Sequence, residues 1–380
     1  PLMTAVVPFI RTPTNIFRYE LERVPVLNLF LKSVREDITA GGVRRDLALS
    51  KMALGTAVGT VAASLAMNGK ITGGGPQQPG VRAVWLKTHK PYSIKTDAGW
   101  ISYNRLDPVA GWMGAVADAV GMSGETDADT RGGVALAITM GFAKNFTSKT
   151  YAKDVAQFID LFTVSGHSQD TKAKQLEKYL EGRAKILIPA GLAAANKAFF
   201  DPNLHEVRTW LDVIQSRVLG WSASLPLRRD PLFGEPIVSE GGVGPDLFSP
   251  LPIQQAVDDK VADELVTLRV GLELPKYLDK VELDGKASEQ LTLAFTQNKI
   301  INDLNLHDYL AAVMATDFYQ QSTDGPFGGR AEQLKGVIAG YRAAAIESLK
   351  STNKDVGAQV SEKKAQKFER KTGQRPLTVQ

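Results

Sequence analysis

The sequence predicts a mainly α-helical fold: a helical bundle-like assembly with one small β-hairpin and a long proline-rich extended strap. Three observations predict it. Apolar residues recur at three-to-four spacing along most of the 380-residue chain. One short stretch of aromatic and β-branched residues flanks a turn containing Asp and Gly. Between Ser224 and Pro252 stand Pro226, Pro231, Pro236, Pro245, Pro250 and Pro252, and no long helix survives that density of missing N–H donors. With 43% hydrophobic and 23% charged residues, the composition is globular rather than disordered.

In chain order, Pro8 and Pro13 give an extended lead, and Asn15 is a candidate N-cap for a helix over 16–22, which Pro25 interrupts. Leu27, Phe30, Leu31 and Val34 carry a second helix over 26–38. Gly41-Gly42 breaks the chain before a long helix that starts near Val43. Within that helix, residues 52–69 hold no charge, with Arg44, Arg45, Asp46 and Lys51 on one side and Lys70 on the other. Such a run spans roughly 27 Å as a helix, close to the hydrocarbon thickness of a bilayer. Gly55, Gly59 and Ala63 recur every four residues, giving a face with almost no side-chain bulk for helix packing or membrane contact. Two readings stand: a buried core helix and a membrane-capable helix. A segment buried in one state and exposed in another reconciles them. Gly73-Gly74-Gly75-Pro76 is expected to end it.

Tyr92, Ile94, Trp100, Ile101 and Tyr103 flank Thr96-Asp97-Ala98-Gly99 and read as the hairpin. Helices are expected over 109–121, 132–146, 152–164, 171–181 and 192–200, then an amphipathic one carrying Leu204, Val207, Leu211, Ile214 and Val218. The strap over 224–252 interleaves Leu225, Leu227, Leu232, Phe233, Ile237 and Phe248, so it is expected to pack on the helices rather than act as a linker. Helices return with Val257, Val261, Leu265 and Leu268, and with Leu334, Val337, Ile338, Tyr341 and Leu349. The organisation so read is a helical region over 1–85 with the apolar helix, a hairpin over 86–108, a central helical region over 109–223, a strap over 224–256, and a C-terminal helical region over 257–380 with a basic tail.

The net charge is only +4, and the excess is local. Lys363, Lys364, Lys367, Arg370 and Lys371 fall within nine residues near the end. A helix there would present cations to double-stranded DNA or to an acidic protein neighbour. The neighbour is preferred, because Asp355, Glu362 and Glu369 are interspersed. The chain begins at Pro1 with no signal-peptide pattern, which reads as a fragment or processed product of something longer.

Chemistry is excluded class by class. There is no cysteine, so disulfides, thiol nucleophiles and thiolate metal sites drop out. His89, His167, His205 and His307 form no HExxH or i, i+4 pair, so no metal site is expected. Residues 284–288 lack the upstream glycine of a phosphate loop and read as a surface turn. Residues 220–224 lack the last glycine of a nucleophile elbow. The carboxylate pairs Glu20/Glu22, Asp258/Asp259 and Asp263/Glu264 have basic residues close by and read as solvated faces. No catalytic residue and no cofactor is expected.

A family resemblance adds to this reading. It rests on Pro8-Phe9-Ile10-Arg11-Thr12-Pro13-Thr14-Asn15, Leu21-Glu22-Arg23, Gly41 to Ala48, Gly69 to Pro76, the hairpin from Pro91 to Pro108, and Phe233-Gly234-Glu235-Pro236-Ile237. Together these stretches resemble the C-terminal region of very large bacteriophage polyvalent or internal virion (ejection) proteins. The resemblance covers roughly residues 5–240 and carries no catalytic motif. It implies a structural virion protein of the internal-core type that assembles as homo-oligomers with portal or ejection proteins around the DNA exit path. Its place would be the virion and, after infection, the host cell envelope, where it meets the host membrane. The alternative is a non-catalytic docking domain of a giant virion enzyme, an RNA polymerase or a peptidoglycan hydrolase.

Overall fold

The computed structural model describes residues 15, 18–24, 27–104, 106, 109–123, 140–141, 144, 196, 200–218, 220–238, 253–274, 277–278, 281–282, 285–323 and 329–372. The protein is mainly α with a small antiparallel sheet. A 3-10 turn over Leu27–Phe30 leads into α1 (Lys32–Ala40), α2 (Gly42–Met67) and α3 (Pro79–Thr88). The hairpin β1 (Ser93–Thr96) and β2 (Gly99–Ser102) precedes α4 (Val109–Ser123) and the short α5 (Trp210–Gln215). Then come β3 (Ile253–Gln254), α6 (Lys260–Thr267), β4 (Tyr277–Leu278), β5 (Val281–Glu282) and α7 (Gly285–Thr296). The chain finishes with α8 (Leu306–Met314), α9 (Asp317–Gln321), α10 (Arg330–Thr352) and α11 (Lys354–Thr372).

Packing separates two units, each assembled from non-contiguous pieces: 1–76 with 89–182 and 244–256, and 77–88 with 183–243 and 257–380. The first is built on α2 and α4, whose shared core holds Ala62, Ile71, Tyr92, Tyr103, Trp112 and Val116. α2 ends in a Schellman motif. Lys70 N–H reaches back to the Leu65 carbonyl and Gly69 N–H to the Ala66 carbonyl, with Gly69 at φ +64°. The helix therefore stops at Met67, before the triple glycine expected to stop it. Gly73 and Gly74 serve close approach instead: a Cβ on Gly73 would overlap Asp118, and one on Gly74 would press on the Tyr92 hydroxyl.

The hairpin forms at the expected turn, pairing Ile94 with Ile101 and Thr96 with Gly99. β3 adds a third strand that the sequence reading left inside the strap, setting Ile253 beside Ile101. The helix expected over 26–38 is split into the 3-10 turn and α1. Of the helix expected over 16–22, residues 18–21 are helical. The helices expected over 132–146, 152–164, 171–181 and 192–200 lie largely outside the described residues.

The second unit packs α3, α6, α8 and α10 around Val84, Leu265, Leu310, Leu334 and Tyr341. A neighbouring cluster of Leu291, Phe295, Ala345, Val356 and Val360 joins α7, α10 and α11. One expectation is corrected here. Residues 204–208 are extended, and only Trp210–Gln215 is helical. Leu204 N–H bonds the Ile237 carbonyl and Arg228 N–H the Leu204 carbonyl, so distant backbone takes the donors a helix would need. Helix α5 starts where Thr209 and Asp212 close a capping box. The described half of the strap, 224–238, is this paired extended segment; residues 239–252 lie outside the described residues. The expected surface turn over 284–288 is likewise corrected: Gly285 opens α7, and Ala287 and Ser288 are buried.

Candidate functional site: the two faces of α2

Helix α2 is 26 residues long, and it is the one described helix long and apolar enough to cross a membrane. Its packed side carries Ala48, Gly55, Gly59 and Ala62. The predicted small-residue face is therefore placed against the protein itself. A Cβ on Gly55 would run into the Arg23 carbonyl, and one on Gly59 would sit 2.8 Å from the Trp112 ring. Ala63 packs at the margin of the same cluster. The Trp112 indole N–H donates to the Gly55 carbonyl at 2.7 Å, so the largest side chain of α4 is fixed over the smallest residues of α2. At the N-terminal end of this contact, Lys51 bonds Glu22 at 2.8 Å, with Arg18 3.0 Å away on the other side. Burial pushes the Glu22 carboxyl up, but the two cations outweigh it and hold the group below the usual range.

The opposite side is bare. Leu54 is 57% exposed and Val61 60%, and Val43, Leu47 and Met67 are exposed with them. The Thr56 hydroxyl donates to the Met52 carbonyl and that of Thr60 to the Thr56 carbonyl, both at 2.8 Å. Two polar groups on the exposed surface are thus satisfied within the helix. Sequence reasoning found the glycine face but missed this one. Its signal is the apolar or small run Val43, Leu47, Ser50, Leu54, Ala57, Val61 and Ser64, alternating four and three residues apart.

Beneath the α2–α4 contact, Asp118 of α4 is buried and bonds Lys144 at 2.7 Å, Gly74 N–H at 2.8 Å and the Tyr92 hydroxyl at 3.2 Å. Burial raises this carboxyl above its ordinary value, against the pull of Lys144 and the two hydrogen bonds. The Tyr103 hydroxyl, donating to the Thr72 carbonyl at 2.6 Å, is raised by burial and by Asp118. The group ties the 71–76 segment, the hairpin and α4 together.

Polar clusters are also present elsewhere among the described residues. In the second unit, Ser222 Oγ and His205 Nε2 both end on Asp201 Oδ2, at 2.6 and 2.7 Å. The carboxylate lies between the hydroxyl and the imidazole, so the histidine is not set to take the serine proton. His307 Nε2 bonds Asp259 at 2.9 Å and its Nδ1 bonds Asp308 at 3.1 Å, beside an open cleft of about 340 Å³ that Phe233 and Gln297 also line. Burial lowers the His307 pKa, but the two carboxylates outweigh it and raise it overall. Among the described residues, no three His, Asp or Glu side chains converge on a metal-sized site.

Of the predicted basic tail, all five positions fall on α11. Lys363 is half-buried, and the side chains of Lys364, Lys367, Arg370 and Lys371 lie outside the described residues. Asp355, Glu362 and Glu369 are exposed and recur every seven residues, so they share one stripe rather than being scattered around the helix.

Compared with known proteins, the chain matches no family model, no curated protein and no solved structure.

Proposed function

We propose that the chain is a non-enzymatic structural protein of the bacteriophage internal-virion or ejection type. It assembles in copies with portal or ejection proteins around the DNA exit path, and after release it engages the host envelope through α2. The resemblance of the sequence stretches supports the class. What carries the envelope part is the bare side of α2: a 26-residue helix whose exposed half holds no charge from Ala53 to Met67, shows Leu54, Val61 and Met67, and has the Thr56 and Thr60 hydroxyls bonded within the helix. The tail is assigned to packaged duplex DNA. The acids on α11 keep to one stripe, which removes the objection that they would interrupt phosphate contact.

Flotation of the purified chain with phosphatidylcholine–phosphatidylglycerol vesicles tests the envelope part. The unaltered chain is expected to float, and Leu54→Lys with Val61→Lys to remain at the bottom. A lysine at Gly59 would be a poor probe, since it would break the contact with Trp112. If the unaltered chain stays with the soluble fraction, the membrane role is lost. For the tail, binding to duplex DNA at two salt concentrations should fall steeply, with a log–log slope of about −0.9 per phosphate contacted. Binding that survives deletion of residues after Ser361 would remove the assignment.

A further inference from the structure

We propose that the bare side of α2 is the contact between two copies of this chain, packed antiparallel and centred between Leu54 and Ala57. The inference deepens the assembly part of the reading above and rests on it. Val43, Leu47, Ser50, Leu54, Ala57, Val61 and Ser64 are all exposed and follow the 4–3 alternation of a two-helix seam over three heptads. Contact with lipid needs only a broad apolar side, whereas a 3.5-residue period suits a second helix. Large residues sit at one seam position (Leu47, Leu54, Val61) and small ones at the other from Ser50 onward (Ser50, Ala57, Ser64).

That alternation chooses the direction. Antiparallel pairing about the Leu54–Ala57 midpoint faces Leu54 with Ala57, Leu47 with Ser64, and Val61 with Ser50. Every layer then joins one large and one small side chain, and the helices interdigitate at close range. A parallel pair would stack Leu on Leu and Ser on Ser, leaving gaps at the small layers. Charge agrees. The antiparallel arrangement brings Arg44, at the seam's flank, toward the negative C-terminal end of the other α2, and sets no like charges face to face. The arrangement is two-fold, so one patch serves both copies and the contact closes.

Size sets the strength. A seam of three heptads is a strip roughly 33 Å by 10 Å on each copy, or on the order of 700 Å² in all, below the size of a stable standard interface. The free chain should therefore pass from monomer to dimer as its concentration rises, and local crowding in an assembly would complete the pairing.

The absence of cysteine gives a clean test. Leu47→Cys and Ser64→Cys chains, each oxidised alone, should give little disulfide dimer, because the like positions lie about 25 Å apart along the seam. Mixed, they should cross-link efficiently. In sedimentation without lipid, the unaltered chain should dimerise with concentration. Leu54→Lys should stay monomeric with an unchanged circular dichroism spectrum, and Thr56→Lys, off the seam, should behave as the unaltered chain. Self cross-linking of Leu47→Cys alone would mean a parallel pair and overturn the proposal. So would a chain that remains monomeric at every concentration, or a Leu54→Lys chain that loses flotation while its sedimentation is unchanged. A chain that dimerises but never floats keeps this seam and removes only the membrane role.

Discussion

Helices α2 and α10 are both long, at 26 and 23 residues, yet they are built on opposite rules. α10 buries large side chains, with Leu334, Ile338, Tyr341 and Leu349 filling the core, while its exposed positions carry charged or small residues such as Glu332, Lys335, Ala339, Ala343 and Glu347. Its two glycines, Gly336 and Gly340, face open space. α2 buries glycine and alanine, leaves leucine and valine outside, and has no room for a methyl group at Gly55 or Gly59. Polarity does not separate inside from outside along α2. Size does: the packed side is the one where α4 can come close. A soluble-style core helix and a helix with an outward apolar side therefore coexist in one chain.

Substitutions sharpen this contrast. The largest effect is expected at Trp112→Ala, which empties the site over Gly59 and removes the bond to the Gly55 carbonyl. Thermal or urea unfolding of the first unit should lose about 3–5 kcal/mol, and a loss under 1 would mean that α4 does not hold α2. Next comes Gly55→Ala, which adds a helix-favouring residue but drives a methyl into the Arg23 backbone; it should destabilise by about 1–3 kcal/mol. In α10 the same change has the opposite sign. Gly336→Ala should stabilise the second unit by roughly 0.5–1 kcal/mol, and equal signs at Gly55 and Gly336 would erase the distinction between the helices.

The smallest effect is a pH dependence of the second unit that comes from His307. His307 has its folded-state pKa raised by Asp308 and Asp259 against the opposing effect of burial. Its contribution is fully present below the ordinary histidine value of about 6.5 and is lost as pH rises through the folded value. Denaturant midpoints across that window should fall with pH in the unaltered chain and flatten in His307→Gln. An unchanged slope in the variant would assign the dependence to another group.

Local signals carried much of the architecture. The Thr96–Gly99 turn, the Gly41-Gly42 break and the spacing of Leu334 to Leu349 were legible because each is decided within a few residues. Pro79 at the first position of α3, followed by Val81, Val84 and Trp85, was an available helix signal that went unused. The extended run at 204–208 was not legible. Leu204, Val207 and Leu211 keep helical spacing, but partners at 226–237 take the backbone donors, and no local pattern announces them. The same limit explains α2. Sequence shows that Gly55 and Gly59 form a smooth face; only the position of Trp112 decides that this face is already occupied.

The third strand has a consequence for how the chain is made. β2 is paired along one edge by β1 as soon as the hairpin closes, but its other edge waits for Ile253 and Gln254. On a ribosome adding about 5–20 residues each second, roughly 150 further residues separate the two events, or on the order of 8–30 s. For that interval a nascent chain shows a bare strand edge beside an unburied apolar helix, the kind of surface that holding chaperones and sister chains seize. Order of synthesis, as much as final packing, then sets how long that edge stays open before the sheet is complete.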